Sequence, residues 1–168
     1  MGVDDLQRTQ EPLKAEYGQN PEAAKVTLTA TGEEGDDARA CNIDIGRAIY
    51  EAELHEGVGG TGAGACSGDL LLGALAACTQ LTAQAVAENF GVDVDVSVEA
   101  SGDLDLRGTL GVDREVPVGF QDVRVDVSIG GDLDEETREA IQRVTERYCV
   151  VYQTLVSPPP VETNWSFQ

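Results

Sequence analysis

Positive charge is scarce in this sequence beside negative charge. Its 168 residues carry 31 Asp and Glu against 11 Lys and Arg, a formal net charge of −20. Only Lys14 and Lys25 are lysines. With no basic patch to neutralise phosphates, nucleic acid and anionic membranes are excluded as partners. A chain this acidic along its whole length repels itself in dilute buffer. Salt near 1 M shortens the reach of that repulsion to ~3 Å. The composition therefore points to a salt-adapted protein of a cytoplasm rich in salt.

Other shortages narrow the reading further. Aromatic residues make up 5% of the chain while apolar residues make up 41%, mostly Ala and Val, so a core of small side chains is expected. No basic-plus-apolar leader opens the chain, and no run of ~18 apolar residues is present. The expectation is a cytoplasmic protein with no membrane span. The four cysteines, Cys41, Cys66, Cys78 and Cys149, then sit in a reducing compartment. They contain no Cys-x-x-Cys pair, and His55 is the single histidine, so no structural metal site is expected. His55 has no partner that spacing identifies, and no Ser-His-Asp arrangement can be read. The Asp-rich runs lack calcium-loop spacing and read as solvated surface.

What is present is the pattern of one α+β domain of ordinary size. Residues 1–23 are polar, contain Pro12 and Pro21, and hold no sustained period, which predicts an arm or a loose tail. Residues 24–168 carry the domain. Val26, Leu28 and Ala30 alternate with polar residues before a turn at Gly32 to Gly35. Cys41, Ile43 and Ile45 form a second alternation, and Ile49 to Leu54 a third. Together they predict an antiparallel meander. The glycines of residues 57–64 lack the phosphate-loop Lys and the dinucleotide spacing, so a flexible loop is favoured over a nucleotide site. Ser67 to about Phe90 is the best helix, with Ser67 as a candidate cap, Asp69 in the first turn and Gly91 as the stop. Its body is apolar nearly all round, the mark of a central buried helix. Val92 to Val98 and Val123 to Ile129 alternate as strands with one wet face. Asp132 and Glu135 predict a helix start, and Ile141, Val144 and Tyr148 its apolar stripe, with Cys149 at its end. Val161, Thr163, Trp165 and Phe167 alternate as a last strand.

Chemistry rests on the cysteines. Cys78 lies mid-helix between Leu75 and Leu81, and Cys149 follows Arg147 and Tyr148. Each is open to two readings, a small core residue or a reactive thiol. A thiolate in the middle of a helix needs a nearby cation or hydrogen-bond donors. Cys41 shares a face with Ile43 and Ile45 and reads as core. Cys66 reads as a small loop residue or an accessory thiol.

Two stretches together resemble a known family. Ser67-Gly-Asp-Leu-Leu-Leu-Gly-Ala-Leu-Ala-Ala-Cys78-Thr resembles the central-helix signature of the OsmC/Ohr family, and the Gly-Gly-Thr-Gly stretch resembles its Gly-rich loop. Arg147-Tyr-Cys149-Val-Val-Tyr-Gln-Thr-Leu155 resembles its second motif, Cys-Pro-Val-x-x-x-Leu, 71 residues after Cys78. The resemblance implies an OsmC-like fold of antiparallel sheets around a long central helix, in an intertwined homodimer. It implies a thiol-dependent reduction of organic hydroperoxides in oxidative-stress defence, with Cys78 peroxidatic and Cys149 resolving. An external dithiol restores both, and no metal, flavin or nucleotide cofactor is needed. The chain departs from the pattern in places. Asp69 occupies the usual Glu position of the broader family, Gly68 falls where the peroxidase group is acidic, and Val150 replaces the usual Pro. Arg39 is the nearest candidate for the Arg that activates the thiolate. The rival expectation is a non-enzymatic dimer that binds a small apolar or thiol ligand at the subunit interface. A third is a thiol hydrolase or transferase that uses Cys78 alone, for which no general base is evident.

Overall fold

The computed structural model describes residues 3–34, 40–46 and 48–167. The architecture is mixed α+β, as expected. The elements run α1 (Val3–Gln19), β1 (Thr31–Glu34), β2 (Ala40–Asp44), β3 (Ile49–Glu53), α2 (Ser67–Asn89), β4 (Asp95–Asp103), α3 (Leu106–Thr109), β5 (Asp122–Gly130), α4 (Glu135–Tyr148) and α5 (Val150–Val156). They divide into two compact units, residues 1–73 with 99–126 and residues 74–98 with 127–168.

In the first unit, β1, β2 and β3 form the expected antiparallel meander. Cys41 on β2 stands opposite Ala52 on β3, and Ala52 is buried. The first strand, however, falls later than the alternation predicts. Residues 25–30 form no strand, and Val26 and Leu28 are 78% and 90% exposed. Alternation alone does not hold a strand that lacks a neighbour to pair with. The N-terminal segment also differs from expectation: α1 is a helix where an arm or tail without period was predicted. Its Gln10, Glu11, Lys14, Ala15 and Glu16 are good helix formers, and propensity acts without any apolar stripe.

The helix α2 has nearly the predicted bounds and stops at Gly91, whose φ of 70° suits the residue after a helix. Its cap differs. Cys66, not Ser67, precedes the first helical residue, and the Asp69 carboxylate reaches back to accept the Cys66 N–H at 2.8 Å. By length and composition α2 could cross a membrane, which corrects the expectation that no segment qualifies. We read it as a core helix, because its polar side chains engage the protein: the Gln80 amide donates to the Val96 carbonyl at 2.7 Å.

In the second unit one side of α2 is sealed. Leu75, Thr79, Ala83 and Ala87, spaced by one turn, are all buried. Val86 and Ala87 join Leu133 and Ile141 in a cluster against which Val92, Val94, Ile129 and Val144 pack. Leu81, on the other side of α2, stays 67% exposed, so the helix is not buried all round within one chain.

The two strands of the second sheet, β4 and β5, pair with each other. The following helix is capped by Asp134, whose carboxylate accepts the Thr137 N–H, rather than by Asp132. Tyr148, expected in the apolar stripe of α4, is exposed, and Thr145 takes the buried place. The last predicted strand does not form. Residues 157–167 have no regular element, and Trp165 and Phe167 are exposed. An unpaired segment has no ladder to fix it.

Candidate active site

Two turn-spaced rows meet in the second unit. One is Leu75, Thr79, Ala83 and Ala87 on α2. The other is Ile141, Thr145 and Cys149, at the same spacing on α4 and its end. Thr79 contacts Cys149, and Ala87 shares a cluster with Ile141, so the rows run antiparallel. That register sets Thr145 opposite Ala83. The Ala83 methyl cannot hydrogen-bond, and the buried Thr145 hydroxyl has no partner.

Cys149 sits where two helices join. Its N–H donates to the Thr145 carbonyl at 2.9 Å and closes α4, while its carbonyl accepts the Gln153 N–H at 2.9 Å and opens α5. Between these bonds its backbone is extended, with φ −70° and ψ 106°. The chain therefore bends at the cysteine, and the thiol is driven inward to 1% exposure.

Cys78, half-buried one residue before Thr79, faces this bend. Burial pushes its thiol up, but hydrogen bonds from the Val151 N–H, the Cys149 thiol and the Val150 N–H outweigh that and hold it below the ordinary thiol value. The Thr82 hydroxyl also lies within reach. Its single proton is already committed to the Cys78 carbonyl at 2.7 Å, so it contributes least. Cys149 thus lies against α2 at Thr79, the neighbour of Cys78, and both cysteines are free thiols.

The remaining candidates are distributed differently. Asp69, nine residues before Cys78 on α2, bonds to Cys66. The Cys66 N–H and then its thiol hold the carboxyl below the usual carboxylate range, and His55 adds a smaller pull. Arg39 lies outside the described residues. Cys66 is buried beside Asp69, and Cys41 is half-buried on β2. His55 caps a short 3-10 turn, its Nδ1 accepting the Gly57 N–H at 3.0 Å. Among the described residues no His, Cys, Asp and Glu cluster could hold a metal ion.

The Gly-rich loop is tied down rather than free. The Glu53 carboxylate accepts the Gly64 N–H at 2.7 Å and the Thr61 hydroxyl at 2.8 Å, and these bonds lower its pKa. At Gly60 a Cβ would collide with the Leu54 carbonyl oxygen, so only glycine fits there.

The sequence reading missed the backbone donors. Amide groups leave no side-chain signature, and the single available signal was Val150 in place of a proline, which has no N–H to give.

Comparison with known proteins then decides the family. The model of the OsmC-like protein family matches residues 60–164, which is more than half of the chain. The chain belongs to the OsmC-like family. Solved structures similar to it include an OsmC-like protein from Mycoplasma pneumoniae, with a TM-score of 0.65 at 15% identity over 80% of this chain and 90% of that one. An organic hydroperoxide resistance protein from Elizabethkingia anophelis gives 0.62 at 19% identity over 80% and 91%. One from Legionella pneumophila gives 0.59 at 20% identity over 79% and 90%. At such identities this OsmC-like chain shares their fold. No curated protein sequence matches it.

Proposed function

We propose that this OsmC-like protein reduces organic hydroperoxides with Cys78 as the peroxidatic and Cys149 as the resolving thiol. The observation that supports the reading is the seating of the Cys149 sulfur 3.5 Å from the Thr79 hydroxyl, next to Cys78 on α2, with the Cys78 thiol held below its ordinary value. The Cys78 thiolate attacks the terminal peroxide oxygen, the O–O bond breaks, and the alkoxide leaves as alcohol after taking a proton. Cys78 is then a sulfenic acid. Cys149 attacks its sulfur, a disulfide forms, and water leaves. An external dithiol supplies the two electrons that restore both thiols.

Asp69 and Arg39 remain proposed accessory residues, with capping of α2 a second duty for Asp69. A homodimer is part of the same reading. The exposed flank of α2 and the exposed Trp165 and Phe167 are apolar surface that a second copy would cover. The setting is oxidative-stress defence in a salt-rich cytoplasm, in keeping with the charge of −20.

Peptide mapping tests the pairing. Reduced protein treated with one equivalent of cumene hydroperoxide should yield a peptide pair cross-linked through Cys78 and Cys149. Oxidation that leaves these two cysteines unlinked would sink the two-thiol mechanism.

A further inference from the structure

On the buried seam between α2 and α4 one hydroxyl touches the Cys149 sulfur. Thr79 Oγ1 lies 3.5 Å from Cys149 Sγ, and either atom could donate at that distance. The Thr79 hydroxyl is buried and makes no other hydrogen bond among the described residues, so its proton is satisfied by donation to the Cys149 sulfur. The hydroxyl is free for this duty because it does not turn back along its own helix. Thr82 and Thr154 do, donating to the carbonyls four residues earlier, Cys78 at 2.7 Å and Val150 at 2.8 Å. The other buried hydroxyl on the seam, Thr145 Oγ1, has no partner. Among the described residues Thr79 alone offers a side-chain hydroxyl to Cys149.

We propose that Thr79 is a positioning residue for disulfide closure, its hydroxyl donating to the Cys149 sulfur and holding it aimed at Cys78. The inference rests on the two-thiol reading above. In the closing step the Cys149 sulfur attacks the Cys78 sulfenic sulfur. The S–S bond forms and the S–O bond breaks. The departing hydroxide takes the Cys149 proton and leaves as water. The Thr79 O–H bond stays intact. Its hydrogen bond steadies the negative charge that gathers on Cys149 as the proton is lost.

Two substitutions separate a hydroxyl role from a packing role. Thr79→Val keeps the shape and loses the donor; Thr79→Ser keeps the donor and loses a methyl. The full-length protein, reduced and held at high KCl, receives one equivalent of cumene hydroperoxide. Mass spectrometry follows the Cys78 sulfenic acid as its dimedone adduct, and the disulfide, over time. Thr79→Val should close the disulfide about tenfold more slowly than wild type, the rate equivalent of one lost hydrogen bond. It should also accumulate sulfenic and then sulfinic acid, while Thr79→Ser stays near the wild-type rate. The reverse order, with Val fast and Ser slow, assigns Thr79 to packing and overturns the inference, as does equal slowing of both. A wild type that closes normally beside an equally fast Thr79→Val variant refutes the Thr79 role alone. A wild type that forms no adduct and no disulfide refutes the two-thiol reading, and this inference with it.

Discussion

Val150→Pro restores the residue that the family motif usually carries after its second cysteine, and it should weaken the thiolate at Cys78. The substitution removes one backbone N–H donor and little else. Val150 is the first residue of α5, a position where proline fits a helix. Cys149 before it is already extended, as a residue preceding proline must be. The Val150 side chain is 71% exposed, so little packing is lost. A hydrogen bond to a charged group contributes about 1.5–3 kcal/mol. Cys78 is half-buried, and screening by water reduces that to about 1 kcal/mol, or roughly fivefold in thiolate population near neutral pH. The assay is the iodoacetamide alkylation rate of the Cys78 peptide across a pH series. The wild-type profile should rise at lower pH than that of an ordinary thiol, because the folded protein favours the thiolate. The variant profile should move to higher pH and merge with wild type in alkali, where both are fully ionised. A variant that alkylates as fast as wild type at neutral pH would refute the claim that the Val150 N–H holds the thiolate.

Ile141→Ala should cost about 2–4 kcal/mol in urea denaturation at fixed protein concentration, since it removes three carbons worth about 0.8 kcal/mol each and leaves a cavity. Ile141 is 0% exposed within the cluster that seats α4, so a loss below about 1 kcal/mol would contradict that packing. Thr145→Val should be neutral or stabilise by about 1 kcal/mol, because the hydroxyl it removes is buried without a partner. A clear loss of stability in that variant would mean the hydroxyl is engaged. Lowering KCl in steps should reduce the thermal midpoint as self-repulsion among the excess acidic groups is unscreened. A midpoint indifferent to salt would reject the salt-adapted reading.

Much of the arrangement is legible in the sequence because it is carried by side chains. The apolar run from Leu70 to Leu81 marks α2, and the two cysteine motifs mark the thiols that the fold brings together. The parts that escaped depend on backbone or on partners. The amides of Val150 and Val151 carry no side-chain sign of their role. Thr79 reads as an ordinary helix residue until the register of α2 against α4 sets it beside Cys149. The alternations at Val26 to Ala30 and Val161 to Phe167 are strand-like, yet both remain unpaired within one chain. A period of two states a preference, and only a neighbouring strand turns it into a ladder. The helix α1 is the converse case, formed by propensity where no apolar period announced it.

The most direct test of the central claim is turnover. Purified protein at high KCl is given cumene hydroperoxide and a dithiol such as dihydrolipoamide, beside Cys78→Ser and Cys149→Ser. The two-thiol mechanism requires steady peroxide consumption by wild type. Turnover should be lost in Cys78→Ser. In Cys149→Ser it should be reduced, or altered in its dependence on the reductant. Folded wild type that consumes no peroxide with any dithiol, or Cys78→Ser that turns over like wild type, would contradict it.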